Sequence, residues 1–236
     1  QERAELLLRP IDATLGIEGL PQSGTGHVAL LAGVNAPALH GRHQPNFPPV
    51  ALRPLLAERS IFRRIQTLGT RAAFANVFTP GYWQAVESRH IRRSASIIAA
   101  EGADVALRTL ADLAAGTALS WDVTGEAIHR RGEGLHLPPI DPPEAGRRLS
   151  ELARSHEFIF FECFLPDLAG HGRLGPEAVP ETLRRIDGLL AGVLQYRNSR
   201  DTLLITSDHG NLEDSTTRVH TTNPVPLLVV GPAVPA

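Results

Sequence analysis

A short apolar run that ends in adjacent acidic and imidazole side chains limits the folds open to this chain. Residues 202–206 are mostly β-branched or apolar, which predicts a buried strand, and Asp208 and His209 follow almost at once. A second strand is predicted at Val225–Val230, after a polar loop that carries His220. In open α/β sheets, ligands bind in the crevice beyond the carboxyl ends of parallel strands. We therefore expect Asp208, His209 and His220 to converge there, where carboxylate and imidazole together suit a divalent cation.

The order of the other segments predicts an α/β fold. Apolar runs predict further strands at residues 4–9, 71–78 and 157–164. Helical spacing of apolar residues predicts helices at residues 27–31, 52–68, 144–156 and 177–196. Because strands and helices alternate along the chain, we expect a parallel sheet with right-handed crossovers.

Residues 79–143 differ from the rest of the chain. They contain both Trp residues and short predicted helices near 94–100 and 107–115, with little periodic apolar signal. We expect this segment to be an inserted cap subdomain, with residues 1–78 and 144–236 forming the core. A basic cluster in the segment includes Arg92 and Arg93. Guanidinium groups suit bidentate binding of a phosphate or carboxylate, and a solvated helix face is the alternative interpretation.

Composition excludes several classes of partner. The formal net charge is −2, without a block of like charges, so we expect no nucleic acid or anionic membrane as partner. No apolar run has the length of a membrane span. Cys163 is the single cysteine, which rules out an internal disulfide and favours a cytoplasmic location. The sequence has no Met, so we expect that translation began upstream of Gln1.

Two more segments carry candidate functional side chains. Ser23 and Thr25 lie in a small-residue turn that opens a predicted helix, where backbone N–H groups and the helix dipole favour an anion. An ordinary N-cap explains the same hydroxyls equally well. Asp167 and His171 follow the strand predicted at residues 157–164 and are spaced four apart in a predicted loop.

Taken together, four sequence blocks resemble the alkaline phosphatase superfamily, in the branch of cofactor-independent phosphoglycerate mutases and phosphopentomutases. The blocks are Ser-Gly-Thr-Gly-His at 23–27, Pro-Asp-Leu-Ala-Gly-His at 166–171, Asp-His-Gly-Asn at 208–211 and the segment from His220 through Asn-Pro-Val-Pro. They occur in the order of the family. The resemblance implies a three-layer αβα sandwich with a mostly parallel sheet and a small inserted cap.

The same resemblance implies a pair of divalent metal ions, Zn²⁺ or Mn²⁺, about 4 Å apart, as two-metal phosphoryl-transfer sites place them. Each ion would have three ligands in this sequence. The first set is Asp167, His171 and His220. The second set is Asp208, His209 and the hydroxyl of Ser23.

The activity implied is metal-dependent phosphoryl transfer, of phosphatase or phosphomutase type, on a small phosphate ester. Ser23 matches the phosphorylated position of the family by its spacing from the Gly-His pair, and Thr25 is the second candidate. Metal coordination would lower the pKa of the nucleophilic hydroxyl and neutralise charge on the transferred group.

One departure from the family keeps other functions open. Members of this family normally add an Asp ligand from an Asp-Gly at the end of the first strand, and no such pair precedes Ser23, where Asp12 is the only Asp. We expect that this strand lies upstream of Gln1, or that the protein is a metal-poor relative. The alternatives are a non-catalytic metal-binding protein, a sulfatase-type hydrolase and a metal-independent serine hydrolase that uses Ser23.

Overall fold

The computed structural model describes residues 6–175 and 178–234. The strands in these ranges are β1 (Leu6–Ile11), β2 (Ala72–Phe74), β3 (Phe158–Phe160), β4 (Leu203–Ile205) and β5 (Val225–Val230). The α-helices are α1 (Ser23–Ala32), α2 (Ala36–His40), α3 (Arg53–Arg59), α4 (Ile61–Thr67), α5 (Pro80–Glu87), α6 (Ala95–Gly102), α7 (Leu110–Ala114), α8 (Glu126–His129), α9 (Pro142–Leu152), α10 (Leu165–Gly170) and α11 (Ala178–Tyr196). The starts of the strand predicted at residue 4 and of the helix predicted at residue 177 lie outside the described residues.

The strands form two sheets of different kinds. One sheet has the order β1-β5-β4 with both pairs antiparallel, so that Val230 lies between Leu6 and Leu203. The other sheet is the parallel pair β2-β3. The mixed α/β class is confirmed, but the prediction of a mostly parallel sheet is not.

The connection between β4 and β5 explains this difference. Parallel neighbours need a crossover, which is usually a helix, whereas antiparallel neighbours can be joined by a loop. Helices α5 to α9 lie between the parallel strands β2 and β3. Residues 206–224, between β4 and β5, contain no helix and are fully described. The chain therefore turns back on itself, and β5 runs antiparallel to β4.

Two predicted helical segments differ in detail from the structure. Residues 23–26, predicted as a turn, are the first turn of α1, and Gly33 ends this helix in the left-handed conformation, with φ of 65° and its N–H bonded to the Ala29 oxygen. The single helix predicted at residues 52–68 is divided at Ser60. Its backbone is extended there, and its hydroxyl accepts a hydrogen bond from the N–H of Arg63, which starts α4 as a new helix.

The largest hydrophobic cluster joins segments from both predicted domains. Phe62 and Phe74 are fully buried in it, beside Val28 of α1. Ile97 on α6, from the segment predicted to be a cap, is fully buried in the same cluster. The segment at 79–143 therefore shares apolar core with the rest of the chain, and the domain boundaries stay a prediction.

Helices α9 and α11 approach each other closely because glycines lie at their crossing. A Cβ atom on Gly192 would overlap the backbone oxygen of Pro143, and one on Gly146 would overlap the oxygen of Leu189. Only glycine permits this spacing. No helix in the described ranges is long and apolar enough to cross a membrane.

We predict that Gly192→Ala destabilises the fold. Alanine is favoured over glycine inside a helix by about 1 kcal/mol, but overpacking at a backbone contact costs about 1–3 kcal/mol. Urea denaturation should show a net loss of unfolding free energy. Ala191→Ser also adds one heavy atom, at the exposed neighbouring position, and should change stability by less than about 0.5 kcal/mol. Equal stability of Gly192→Ala and wild type would contradict the close crossing.

Candidate metal centre

Helix α10 places the first two candidate ligands on one side of a single turn. Asp167 lies in its first turn and His171 is its C-cap, so the predicted loop is helical here. Pro166 does not prevent this, because proline is tolerated in the first turn of a helix. Side chains four residues apart face the same way on a helix, and Asp167 Oδ1 lies 3.2 Å from His171 Nε2.

His220 completes a triangle of ligand atoms with this pair. Its Nε2 lies 3.4 Å from Asp167 Oδ1 and 3.2 Å from His171 Nε2. Two atoms that bind one tetrahedral zinc ion at about 2.0–2.1 Å are roughly 3.3 Å apart. The three separations of 3.2, 3.4 and 3.2 Å match that spacing. The residues fit a metal ion by this measure.

The backbone determines which imidazole nitrogens face the centre. His171 Nδ1 lies 2.6 Å from the oxygen of Arg218, and His220 Nδ1 lies 2.9 Å from the oxygen of Pro21. Because a carbonyl oxygen only accepts, each Nδ1 carries the hydrogen, and Nε2 of each ring faces inward. A proton or a metal ion between two ring nitrogens 3.2 Å apart would stabilise this arrangement. Carbonyl bonds of this kind commonly orient histidine ligands in metal sites.

The buried oxygen of Asp167 supports the same conclusion. Within the described ranges, Oδ1 accepts no hydrogen bond of good geometry, although imidazole nitrogens of His171, His209 and His220 lie within 3.9 Å. A buried polar atom without a partner is costly in a folded protein. A cation bound by this oxygen would satisfy it.

The second set of candidate ligands adjoins the first through stacked imidazole rings. The rings of His209 and His220 have centroids 3.6 Å apart and are inclined by 16°. His209 Nε2 lies 3.0 Å from Ser23 Oγ and 3.4 Å from Asp208 Oδ2. It is also 3.9 Å from Asp167 Oδ1. All six predicted metal ligands thus lie in one continuous group.

Burial and neighbouring charges adjust the ionisation of this group. Burial alone would raise the pKa of Asp208, but the charge of His27 and a hydrogen bond to it outweigh burial and hold the pKa well below the usual range. Burial would also raise the pKa of Asp167, and its contacts with histidines, His220 first, lower it instead. Burial lowers the pKa of His209. The group therefore offers two carboxylates and a neutral imidazole at neutral pH, which is the form that binds metal.

Three other residues predicted for the site make no direct contact with the ligand group in the described ranges. Thr25 is fully buried, and its hydroxyl donates to the oxygen of Gln22 and accepts from the N–H of Gln44, both at 3.3 Å. Arg92 and Arg93 are exposed, and Arg93 Nε lies 3.2 Å from Glu101 Oε1. In the part of the chain that the structure describes, no hydrogen bond or ion pair joins these three residues to the ligand group.

The sequence interpretation missed one residue that contacts the group. His27 Nε2 lies 3.1 Å from Asp208 Oδ2. Burial would lower the pKa of His27, but the charge of Asp208 outweighs burial and raises it to about 9. The sequence interpretation missed His27 because residues 23–26 were predicted as a turn. Since α1 begins at Ser23, His27 lies four residues later on the same helix face.

The part of the chain that contains most of the ligand group is similar in sequence to known proteins. A family model described as the Metalloenzyme superfamily matches residues 143–236, which contain Asp167, His171, Asp208, His209 and His220. A 2,3-bisphosphoglycerate-independent phosphoglycerate mutase from Rhodopseudomonas palustris is 34% identical over 104 residues, covering 40% of this chain and 20% of that protein. The protein of the same name from Acaryochloris marina is 35% identical over 112 residues, covering 41% and 21%.

These matches concern the C-terminal part of the chain, where the sequence is similar to the Metalloenzyme superfamily. The resemblance to the alkaline phosphatase superfamily, of the phosphoglycerate mutase-like type, is confirmed. The matched part spans about a fifth of the length of these mutases. The solved structure of the PH0037 protein from Pyrococcus horikoshii aligns with a TM-score of 0.46 and 18% sequence identity. The alignment covers 72% of this chain and 40% of the PH0037 chain.

We predict that divalent metal stabilises the protein and that His220→Ala reduces this effect. A ligand at 100 times its Kd that binds only the folded state adds about 2.7 kcal/mol of stability. Adding Mn²⁺ or Zn²⁺ to chelator-treated wild type should therefore raise Tm. The control is His43→Ala, because the His43 ring is bonded to the Ile17 oxygen outside the group. A metal-dependent rise in Tm as large in His220→Ala as in wild type would contradict the assignment.

Proposed function

We propose that the protein is a metal-dependent phosphoryl-transfer enzyme, of phosphatase or phosphomutase type, with Ser23 as its nucleophile. The observation that carries this proposal is the position of the Ser23 hydroxyl, 3.0 Å from His209 Nε2 and so beside the ligand group. Ser23 is also the first residue of α1, and the N-cap residue Gln22 makes no side-chain cap hydrogen bond. The N–H groups of Thr25 and Gly26 donate to the Gln22 oxygen, so the groups left for an anion such as phosphate are those of Ser23 and Gly24.

Two divalent ions are part of the proposal. Zn²⁺ and Mn²⁺ both suit ligands of this kind. One ion would be held by Asp167, His171 and His220. The other would be held by Ser23, Asp208 and His209. Bound in this way, the ions would lower the pKa of the Ser23 hydroxyl and neutralise charge on the phosphoryl group.

The covalent step uses the side chain of Ser23. Its oxygen forms a bond to phosphorus as the bond from phosphorus to the ester oxygen breaks, which leaves a phosphoserine and an alcohol. The hydroxyl proton of Ser23 passes to water, and a water molecule gives a proton to the departing ester oxygen, so that a neutral alcohol leaves. Water then accepts the phosphoryl group in a phosphatase, whereas a hydroxyl group of the substrate accepts it in a mutase. Similarity to named phosphoglycerate mutases supports either outcome, since fold and ligands are shared by several reactions.

The remaining parts of the proposal concern substrate and location. The substrate is a small phosphate ester, and no nucleic acid or membrane is involved. Arg92 and Arg93 are the candidate substrate-binding residues, and their exposure leaves them open to an anionic ligand. The lone Cys163 supports a cytoplasmic location, because intracellular proteins rarely depend on disulfides.

We predict that Ser23→Ala abolishes metal-dependent turnover. Loss of a nucleophile that acts as part of a catalytic unit lowers kcat by about a thousandfold or more. The assay is hydrolysis of an aryl phosphate by the protein with its natural N-terminus, after chelation and again after Mn²⁺ or Zn²⁺ is restored. An acid quench followed by mass spectrometry should locate the phosphoryl group on Ser23.

Thr25→Ser is the matched control, because it keeps a hydroxyl at the buried position that does not face the ligand group. It should retain turnover. Unchanged activity in Ser23→Ala, or a phosphoryl group on Thr25, would contradict the proposal. Faster turnover of an aryl sulfate than of the phosphate would show a sulfatase. Metal binding without hydrolysis of the aryl phosphate would favour a phosphomutase that excludes water, and a protein that binds no metal would favour a non-catalytic relative.

A further inference from the structure

His27 lies between two carboxylates and has no role in the function proposed above. It is one helical turn after Ser23 on α1, and the two side chains extend from the same face of the helix. Ser23 contacts His209, and His27 contacts Asp208, so that consecutive turns of α1 contact consecutive residues of the opposing loop. Helix α1 is thereby aligned with the second set of candidate ligands.

The backbone of α1 comes unusually close to Asp208. A Cβ atom on Gly26 would lie 2.9 Å from Asp208 Cβ and 3.0 Å from its backbone oxygen. A side chain at residue 26 would force the helix away. Glycine therefore allows His27 to reach the carboxylate, where its Nε2 lies 3.1 Å from Oδ2.

Glu162 lies on the opposite side of the His27 ring, just after β3. Its Oε1 is 4.0 Å from His27 Nδ1, whereas Nε2 of the same ring faces Asp208. The side chains of Glu162 and Asp208 are only 10% and 15% exposed. The imidazole is therefore held between two largely buried carboxylates.

The orientation of Glu162 is itself fixed by hydrogen bonds. Ser96 Oγ donates to Oε1 at 2.5 Å. The Asn76 side chain donates to the backbone oxygen of Glu162 at 2.8 Å and accepts from its N–H at 2.9 Å. These three bonds hold Glu162 in place on one side of the His27 ring.

We propose that His27 is a positioning residue for the metal ligand Asp208, and that Glu162 holds His27 in place. This inference rests on the proposed function, because it assigns Asp208 to the metal centre. A carboxylate oxygen has two lone pairs, so Asp208 Oδ2 contacts His27 on one side and still faces His209, whose Nε2 is 3.4 Å away. Contact with His27 fixes the rotation of the carboxylate in the orientation that a bound ion requires.

The test compares metal affinity in His27→Ala, His27→Gln and Glu162→Gln with that of wild type, all with the natural N-terminus. Calorimetric titration of chelator-treated protein with Mn²⁺ measures each Kd. Loss of a group that orients a ligand costs about 10–100-fold in metal affinity. We expect this loss in His27→Ala at the site that contains Asp208. Glutamine keeps a side-chain N–H donor, so His27→Gln should restore much of the affinity, and Glu162→Gln should give an intermediate loss.

Two controls separate positioning from general structural damage. His129→Gln changes a ring that is bonded to the Gly134 oxygen, away from the centre, and should leave both affinities unchanged. His171→Ala identifies the signal of the other metal site, whose affinity His27→Ala should leave nearly as in wild type. Equal loss at both sites in His27→Ala would indicate damage to the fold and would overturn the proposal.

Cobalt provides a second readout that separates a positioning residue from a direct ligand. At saturating Co²⁺, the absorption spectrum of His27→Gln should match that of wild type, because the atoms bound to the ion are unchanged. A shifted spectrum would show that His27 binds the ion directly. Wild-type metal affinity in His27→Ala would refute the positioning role alone, whereas a wild-type protein that binds no divalent ion would refute the proposed function and this inference with it.

Discussion

The contact between helix α1 and the Asp208–His209 pair is the interaction on which the rest of the candidate site depends. It joins the N-terminal part of the chain to the loop after β4 through two side chains, Ser23 and His27, one helical turn apart. The stacking of His209 on His220 then links this loop to the segment before β5. Burial of carboxylates is costly unless they are paired, and the convergence of imidazole rings on them offsets that cost. A divalent ion would offset it further.

Residue types at strand ends were the part of the site that could be predicted from sequence. Val225–Val230 is a strand with the bounds expected from its apolar run. Asp167, His171 and His220 form a triangle of ligand atoms, and His209 connects it to Asp208 and Ser23. A short sequence motif shows which side chains follow the end of a strand. Such motifs therefore indicate which residue types a site contains.

The arrangement of these motifs relative to one another was less predictable, because it depends on contacts between residues that are distant in sequence. Strand direction is one example, because the apolar sequence of β5 suits parallel and antiparallel pairing equally. The connection from β4 contains no helix, and β5 pairs with β4 in the antiparallel direction. The break at Ser60 is another, since its hydroxyl also donates to the oxygen of Ala99, which is distant in sequence. The surroundings of Ser23 and Thr25 are a third example. Ser23 Oγ lies 3.0 Å from His209 Nε2, whereas the Thr25 hydroxyl accepts from the N–H of Gln44.

The most direct measurement of the central claim is anomalous X-ray scattering from crystals of the protein with its natural N-terminus, grown with Zn²⁺ and recorded at the zinc absorption edge. The account predicts two peaks about 4 Å apart, the spacing of two-metal phosphoryl-transfer sites. One peak should contact Asp167, His171 and His220, and the other should contact Ser23, Asp208 and His209. Saturating zinc that gives peaks only at surface histidines, with none inside this group, would contradict the account.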